Sequence, residues 1–370
     1  MRVTSLWLNQ FRNYNEEKIY FDKNIIVLYG KNGQGKTNVL EALYLCSIGK
    51  SYRNSLDSDM ICWEKEEASV ITDFMLKGVQ QQIKIILPKK GKKKVSINET
   101  PVLQKELLGT LNTVLFAPED LQIIKGSPKL RRRFLDMEIS QANPLYYHTL
   151  LKYNRSIMQR NLLLKNMRKK GRVDISEWDS QIADSAAILV RKRLEALQKI
   201  NMLANLMHRK ITEGKENLYL QYEQSYFIEG KDSVSDMIQT DWYLNKLQEN
   251  LEEDIYHMST SIGPHRDDMS FIVNDMDLKK YGSQGQQRTA ILALKLSELE
   301  YIKSEVGEYP ILLLDDVMSE LDNERQQSLL KFIKNRIQTL ITTTTDDPFR
   351  ELEDCLFLPI ENGRVKKDVS

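Results

Sequence analysis

The chain has 370 residues, of which 41% are hydrophobic and 28% charged, and its formal net charge is +1. A chain of this length can bury a sizeable core, and it predicts about two or three domains. No apolar run approaches the roughly 18 residues that a membrane-spanning helix needs, and the N-terminal residues lack the apolar core of a signal peptide. Three cysteines without metal-like spacing indicate a reducing compartment. We therefore exclude an integral membrane protein and expect a cytoplasmic location.

The local charge distribution is far less balanced than the total. Residues 125–172 contain 13 lysines and arginines against two acids, whereas residues 213–262 contain 11 acids against three lysines. Such an asymmetry is typical of a protein with one anion-binding face, although solvated helix faces would produce the same counts. Composition alone leaves both interpretations open.

The N-terminal third of the chain predicts short strands and one longer helix. Apolar and β-branched residues recur with a period of two in the strands and with a helical period in the helix. The predicted strands are residues 1–8, 25–29, 69–76, 82–87, 94–97 and 114–116, and the predicted helix is residues 37–48.

The middle of the chain predicts long helices, and strand character returns towards the end. The predicted helices are residues 129–139, 143–167, 175–208, 241–258 and 286–306, and the predicted strands are residues 218–222, 269–273, 311–314 and 339–343. Strands typical of a parallel α/β sheet therefore lie at both ends of the chain. We predict an α/β head formed by residues 1–124 and 263–370, with a mainly α-helical lobe inserted at residues 125–262.

Residues 30–37 read G-x-x-x-x-G-K-T between a predicted buried strand and a predicted helix, which is the context of a phosphate-binding P-loop. Backbone N–H groups and the start of the helix would surround the phosphates. Lys36 would reach the β- and γ-phosphates, and the hydroxyl of Thr37 would hold Mg²⁺. A chance glycine-rich turn is the alternative. The predicted nucleotide-binding residues of this loop are Gly30, Lys31, Asn32, Gly33, Gln34, Gly35, Lys36 and Thr37.

An acidic pair follows the apolar strand at residues 311–314, as in a Walker B motif. Asp315 would hold Mg²⁺ opposite Thr37, and Asp316 would orient the attacking water as a general base. The alternative is a polar strand end without a catalytic role. With a complete P-loop upstream, we predict that Lys36, Asp315 and Asp316 form the catalytic group.

A second phosphate-binding segment, S-Q-G-Q-Q, occupies residues 283–287 at the start of the helix that precedes the acidic pair. A serine hydroxyl, a glycine and helix N-terminal amides suit an anion. One nucleotide site has no evident use for two such segments. We therefore predict that Ser283, Gly285 and Gln286 complete the ATP site of a second copy of the chain.

Two basic clusters are candidate contacts for DNA phosphates. For each, the alternative interpretation is a solvated surface without a binding role. The first is a predicted hairpin tip with Lys89, Lys90, Lys92, Lys93 and Lys94, and the second is the triplet Arg131, Arg132 and Arg133. His265 also has two interpretations. It is either a structural histidine or a link between the helical lobe and the ATP site.

Further sequence blocks extend the pattern from residue 11 to residue 322. They are FRNY at 11–14, GKSYR at 49–53, PEDL at 118–121, KGSP at 125–128, RRRFLD at 131–136, GPHRDD at 263–268, GSQGQQR at 282–288 and SELD at 319–322. With the P-loop and the acidic pair, these blocks resemble an ABC-type ATPase head of the SMC class. In their finer pattern they resemble the RecF family of bacterial recombination and gap-repair proteins.

The resemblance implies a head that binds ATP and Mg²⁺ and dimerises with two nucleotides between P-loop and signature segment. It also implies binding to duplex DNA and to junctions that border single-strand gaps, with RecR and RecO as partners in loading RecA. Arg12 and Asn13 would lie by the adenine or ribose. The short helical insertion excludes the long arms of SMC proteins.

The chain departs from the wider ABC pattern at two places. Asp316 stands where a glutamate is usual, and threonines at residues 342–345 stand where a histidine is usual. These departures predict weak, switch-like ATP hydrolysis. Two other function classes stay open: an SMC-like DNA tether regulated by ATP, and a P-loop enzyme that phosphorylates a small molecule. The signature segment argues against the second.

Overall fold

The computed structural model describes residues 1–53, 55–171, 173–226, 233, 235–346, 349–350 and 354–366. Contacts divide the chain into two units, one formed by residues 1–120 and 298–370 and the other by residues 121–297. The first boundary lies near the predicted residue 124, whereas the second lies beyond the predicted residue 262. The predicted extent of the functional domains stays a prediction. Among the described helices, none is long and apolar enough to cross a membrane.

The described strands and helices are numbered in chain order. The strands are β1 (Arg2–Phe11), β2 (Tyr14–Tyr20), β3 (Ile25–Tyr29), β4 (Glu67–Leu76), β5 (Val79–Pro88), β6 (Lys94–Ile97), β7 (Thr100–Val102), β8 (Thr113–Phe116), β9 (Leu218–Glu223), β10 (Asp268–Val273), β11 (Met276–Asp277), β12 (Ile311–Asp315), β13 (Thr339–Thr343), β14 (Cys355–Glu361) and β15 (Arg364–Val365). The helices are α1 (Lys36–Ile48), α2 (Leu121–Lys125), α3 (Pro128–Ala142), α4 (Pro144–Lys170), α5 (Ser176–Ile211), α6 (Thr240–Glu249), α7 (Leu251–His257), α8 (Leu278–Tyr281), α9 (Gln284–Val306) and α10 (Asn323–Ile333).

A six-stranded sheet in the first unit has the order β15-β14-β3-β13-β12-β8. All neighbours from β14 to β8 pair in parallel, and only β15 is antiparallel. Every residue of β12 and four of the five in β3 are buried. This burial explains why both read as uninterrupted apolar runs, since a parallel strand is covered on both faces. Ligands in such sheets bind beyond the carboxyl ends of the strands.

A second six-stranded sheet in the same unit has the order β2-β1-β4-β5-β6-β7, and all of its pairings are antiparallel. Leu6 and Leu8 of β1 share one buried cluster with Val39 and Leu43 of α1 and with Ile85 of β5. Burial of each such side chain stabilises the fold by about 1.5–3 kcal/mol. The apolar side chains of α1 therefore hold this helix in the same core as β1 and β5.

The second unit consists mainly of helices and contains the small antiparallel sheet β11-β10-β9. Its interior includes a buried charge cluster. Arg160 is 0% exposed and donates to Asp179 at 2.5 Å, to Asp254 at 2.5 Å and to the hydroxyl of Thr260 at 3.0 Å. Since a buried guanidinium is tolerated only when its donors are paired, this cluster fixes how α4, α5 and α7 pack.

Most predicted elements are confirmed, including β3 and β13 with their bounds. The predicted helix at residues 241–258 is wrong as a single element. Helix α6 ends at Glu249, and the side chain of Asn250 donates to the carbonyl of Lys246 at 2.9 Å before α7 begins. Sequence analysis also missed β2, β14 and α10, which the structure adds.

Candidate nucleotide site

The P-loop joins β3 to α1 at the carboxyl edge of the parallel sheet. Gly35 has φ +115° at the start of α1, and a Cβ there would lie 2.8 Å from the side chain of Asn13. A Cβ on Gly30 would lie 2.5 Å from the carbonyl oxygen of Ile360 in β14. Both positions therefore need glycine. A side chain at position 35 would strain the left-handed backbone, and one at position 30 would collide with β14.

Lys36 lies folded over the loop. Its ammonium donates to the carbonyl of Gly30 at 2.6 Å and to the carbonyl of Lys31 at 2.9 Å. Burial lowers the pKa of Lys36, while the carboxylates of Asp316 and Asp315 act in the opposite direction. The loop thus holds a cation over its own carbonyls, next to the acidic pair.

The carboxylate of Asp315 accepts hydrogen bonds from three hydroxyl groups. Oδ1 accepts from Thr37 at 2.9 Å and from Thr342 at 2.9 Å, and Oδ2 accepts from Tyr52 at 2.7 Å. Burial, followed by the charge of Asp315, raises the pKa of Tyr52 well above its usual range, so the phenol stays a donor. A hydroxyl and a carboxylate oxygen side by side are hard ligands of the kind that Mg²⁺ prefers. The predicted metal pair, Thr37 and Asp315, is therefore brought together and suits this ion.

Asp316 has a left-handed backbone with φ +54°, and its N–H donates to the hydroxyl of Thr342 at 2.9 Å. Burial and the neighbouring Asp315 raise its pKa, and Lys36 opposes this shift. A carboxylate with a raised pKa is better suited to accept a proton than an ordinary aspartate. Thr342, in the segment where the wider ABC pattern has a histidine, instead anchors both members of the acidic pair.

Arg12 and Asn13 lie beside the P-loop, each with fixed partners. Arg12 forms two hydrogen bonds, of 2.8 and 2.6 Å, to Glu41, whose side chain is 0% exposed. The side chain of Asn13 donates to the carbonyl of Gln34 at 2.9 Å and accepts from Asn38 at 2.8 Å. Asn13 thus braces the loop and Arg12 braces helix α1, and both residues line the adjoining cavity. Their predicted role by the adenine or ribose stays a prediction.

A cavity of about 560 Å³ opens beside the P-loop. Several predicted residues line it, whereas Gly30, Lys31, Gln34 and Asp315 do not. Sequence analysis missed the lining residues Asn38, Arg53, Asp59, Ile61, Cys62, Trp63 and Thr342. The GKSYR block contains Tyr52 and Arg53, so the sequence did offer a motif that pointed to these two site residues. Residues 59–63 belong to no such motif.

The signature segment lies in the second unit, where it caps α9. The N–H of Gln286 donates to the hydroxyl oxygen of Ser283 at 3.2 Å, and the N–H of Ser283 donates to the side chain of Gln286 at 3.0 Å. This reciprocal pair is a capping box. Gln286 also donates to Glu216 at 2.9 Å, and Glu216 contacts His208 at 3.1 Å. Ser283 and Gln286 are thus held by local contacts, while Gly285 lies in the first turn of the helix.

Two of the predicted DNA contacts have close partners within the chain. The ammonium of Lys93 donates to the carbonyl of Gly49 at 2.6 Å and to Asp57 at 2.9 Å. Arg131 is 3% exposed and donates to both carboxylate oxygens of Asp268, at 2.7 and 2.8 Å. Arg131 is buried and Lys93 is partly buried, so these contacts support structural roles, and the predicted DNA contacts of both residues stay a prediction. The half-buried Arg132 donates to the carbonyl of Asp267 at 2.5 Å.

The other basic candidates are exposed. They are Lys89, Lys90, Lys92, Lys94 and Arg133, of which Lys89 pairs with Glu66.

His265 is a structural histidine in the second unit. Its Nε2 donates to the carbonyl of Thr260 at 3.0 Å, and its Nδ1 accepts from the hydroxyl of Tyr153 at 2.6 Å. Burial lowers the pKa of His265 to about 4. The structural interpretation of this residue is therefore the one that its contacts support.

Comparison with known proteins matches residues 2–366 to the family described as RecF/RecN/SMC N terminal domain. The chain is 45% identical over 368 residues to the DNA replication and repair protein RecF of Alkaliphilus oremlandii, covering 99% of this chain and 100% of that protein. The protein of the same name from Halalkalibacterium halodurans is 41% identical over 372 residues, with 99% and 100% covered.

Solved structures agree with the sequence match. The recombination mediator protein RecF-ATP of the RecFOR pathway superposes with a TM-score of 0.91 at 34% identity, covering 99% of this chain and 97% of the other. The Smc head domain of Pyrococcus furiosus has a TM-score of 0.58 at 16% identity, with 99% and 95% covered, and supports the fold alone. The predicted ABC-type ATPase fold is confirmed. The chain therefore belongs to the RecF family of DNA replication and repair proteins, within the RecF/RecN/SMC class.

Proposed function

We propose that this chain is an ATP-dependent DNA-binding switch of recombinational gap repair. The observation that carries the proposal is the hydrogen bond between Thr37 and Asp315, two residues 278 positions apart. It joins the P-loop to the acidic strand end within one cluster of oxygen ligands. ATP binding is further supported by the RecF-ATP structure, which this chain resembles at 34% identity.

The P-loop residues have distinct roles in this proposal. Backbone N–H groups of the loop and of the first turn of α1 bind the phosphates. Lys36 turns from the carbonyls of Gly30 and Lys31 to the β- and γ-phosphates. Thr37 and Asp315 hold Mg²⁺, which neutralises phosphate charge when bound. Asp316 orients the attacking water, and its short side chain supports slow hydrolysis.

Dimerisation is proposed from the signature segment. In the capping box the hydroxyl of Ser283 acts as an acceptor, for the N–H of Gln286. Its hydrogen can therefore be donated to a phosphate oxygen. The N-terminus of the 23-residue helix α9 favours an anion at the same point. We propose that ATP closes two heads by placing this segment on the partner's nucleotide, and that hydrolysis reopens them.

The DNA and protein partners are proposed from the family. The structural relative belongs to the RecFOR pathway, and we propose that this chain likewise acts with RecO and RecR to promote RecA loading. The DNA that we propose it binds is duplex DNA bordering a single-strand gap. The exposed lysines of residues 89–94 are the proposed phosphate contacts.

Light scattering tests the shared site. Wild type and Ser283→Arg are compared with and without ATP and Mg²⁺, and with gapped duplex DNA added to the same samples. We expect wild type to dimerise with ATP and the variant to stay monomeric while still binding nucleotide. A wild-type protein that stays monomeric with ATP and DNA present would contradict the proposal.

A DNA tether regulated by ATP is the second candidate, favoured by the match to the RecF/RecN/SMC N terminal domain family. It predicts that two duplexes are bridged irrespective of gaps. Competition between gapped and intact duplex distinguishes the two functions, because only the gap-repair switch prefers the gapped form.

A further inference from the structure

Trp63 is an exposed tryptophan beside a polar ligand cavity. Its exposed fraction is 92%, although the side chain lines the same 560 Å³ cavity as the P-loop. A large aromatic ring left in water loses the free energy that burial would supply. An exposed ring at the wall of a ligand cavity is therefore available to cover an apolar part of a ligand.

The backbone around Trp63 is anchored to β1. The N–H of Arg12 donates to the carbonyl of Met60 at 2.8 Å, and the N–H of Cys62 donates to the carbonyl of Gln10 at 2.8 Å. Ile61 also forms an isolated bridge with Phe11. The ring of Trp63 is thus carried by a segment that hydrogen bonds attach to the end of β1.

The wall of the cavity has a polar part and an apolar part. Fifteen residues line it, and most are glycines or carry polar or charged side chains. Its apolar side chains are Ile61, Cys62 and Trp63, which are consecutive in the chain. Among the described residues of this wall, Trp63 is the only aromatic one. A nucleotide has one charged end and one flat apolar end, so the P-loop and Trp63 match its two ends.

We infer that Trp63 is the stacking platform for the base of the bound nucleotide. The inference rests on the proposed nucleotide binding and adds how the base is held. Base–aromatic stacking tolerates any base, because every base has a π-face. Trp63 therefore supplies affinity for a nucleoside triphosphate over a bare polyphosphate and does not by itself select adenine.

Binding of two ligands tests the inference: ATP, and inorganic tripolyphosphate, which has no base. Measured by calorimetry with Mg²⁺, Trp63→Ala should weaken ATP binding roughly 5- to 150-fold and leave tripolyphosphate binding unchanged. Trp63→Phe should restore most of the ATP affinity. Equal losses for both ligands, or no loss for ATP, would overturn the stacking role.

Fluorescence gives an independent readout, since the chain has four tryptophans. ATP should quench wild type and the Trp178→Phe control equally, and Trp63→Phe should abolish the quench. Quenching that survives in Trp63→Phe contradicts the inference. Lys36→Ala separates the two proposals, because it should weaken ATP and tripolyphosphate together. A wild type that binds neither ligand would overturn both proposals.

Discussion

The hydroxyl of Tyr52 donates a 2.7 Å hydrogen bond to Oδ2 of Asp315 across 263 positions of sequence. The opposite oxygen, Oδ1, accepts from Thr37 at 2.9 Å. The phenol therefore fixes the rotation of the carboxylate so that Oδ1 faces the hydroxyl of the P-loop. This makes Tyr52 a positioning residue for the proposed metal ligands.

Tyr52→Phe should weaken Mg²⁺-ATP about 10-fold, the usual effect of losing a partner of a metal ligand. The ring stays in place, and only the bond that orients Asp315 is lost. The measurement is ATP affinity by calorimetry with Mg²⁺ and again with EDTA. Equal weakening in EDTA would show that Tyr52 acts on the cavity in general and not through the metal ligands.

Arg160→Met should destabilise the second unit by about 3–5 kcal/mol, the cost of leaving a buried ion uncompensated. The variant removes the shared partner of Asp179 and Asp254. Urea unfolding followed by far-UV circular dichroism gives the difference in unfolding free energy. Arg155→Met is the matched control, because Arg155 lies on the same helix but is exposed, and it should change stability by less than about 0.5 kcal/mol. Similar values for both variants would contradict a structural role of the cluster.

The parts of the fold that were predicted from sequence are those with a strong local pattern. Strand β3 is buried along nearly its whole length, so its apolar run marked its bounds. Strand β14 has mostly intermediate exposure and includes Pro359, and it is placed by pairing with β3. Helix α6 ends because one side chain, Asn250, binds a backbone carbonyl. Neither long-range pairing nor a single hydrogen bond leaves a periodic signal.

The candidate site divides in the same way. Lys36, Thr37 and Asp315 were predicted because their chemistry follows a fixed spacing after a strand. Tyr52, Thr342 and Trp63 reach the site from loops and strand ends whose positions depend on the folded chain. The partners of Lys93 and Arg131 within the chain could not be predicted, because composition shows charge but neither burial nor pairing.

Acid should destabilise the chain partly through His265. Its folded-state pKa of about 4 lies below the ordinary value of 6.5, so between these values the unfolded chain binds more protons. Stability from this group is therefore complete above pH 6.5 and is lost as the pH falls towards 4, by up to about 3 kcal/mol.

The test compares unfolding free energies of wild type and His265→Gln at pH 7.5 and pH 4.5. The stability advantage of wild type should shrink at the lower pH, because the variant has no imidazole to protonate. A pH-independent difference for His265→Gln would mean that its protonation does not oppose folding.

DNA affinity should depend on the exposed lysines of the β5–β6 tip and not on Lys93, which is partly buried and paired. Replacing Lys90, Lys92 and Lys94 together with Gln removes three cations that face solvent. Each phosphate contact contributes about 0.9 to the slope of log affinity against log salt concentration, so the triple variant should lower the magnitude of that slope by about 3. Fluorescence anisotropy with gapped duplex over a salt series measures both slopes.

Lys93→Gln separates this surface from the fold beneath it. Lys93 binds Asp57 and the carbonyl of Gly49, so its loss should lower the unfolding free energy by about 1–3 kcal/mol and leave the salt slope unchanged. An unchanged slope in the triple variant would exclude the tip as a DNA contact and direct the search to other exposed cations, such as Arg133. A reduced slope in Lys93→Gln alone would show that the Lys93–Asp57 pair opens when DNA binds.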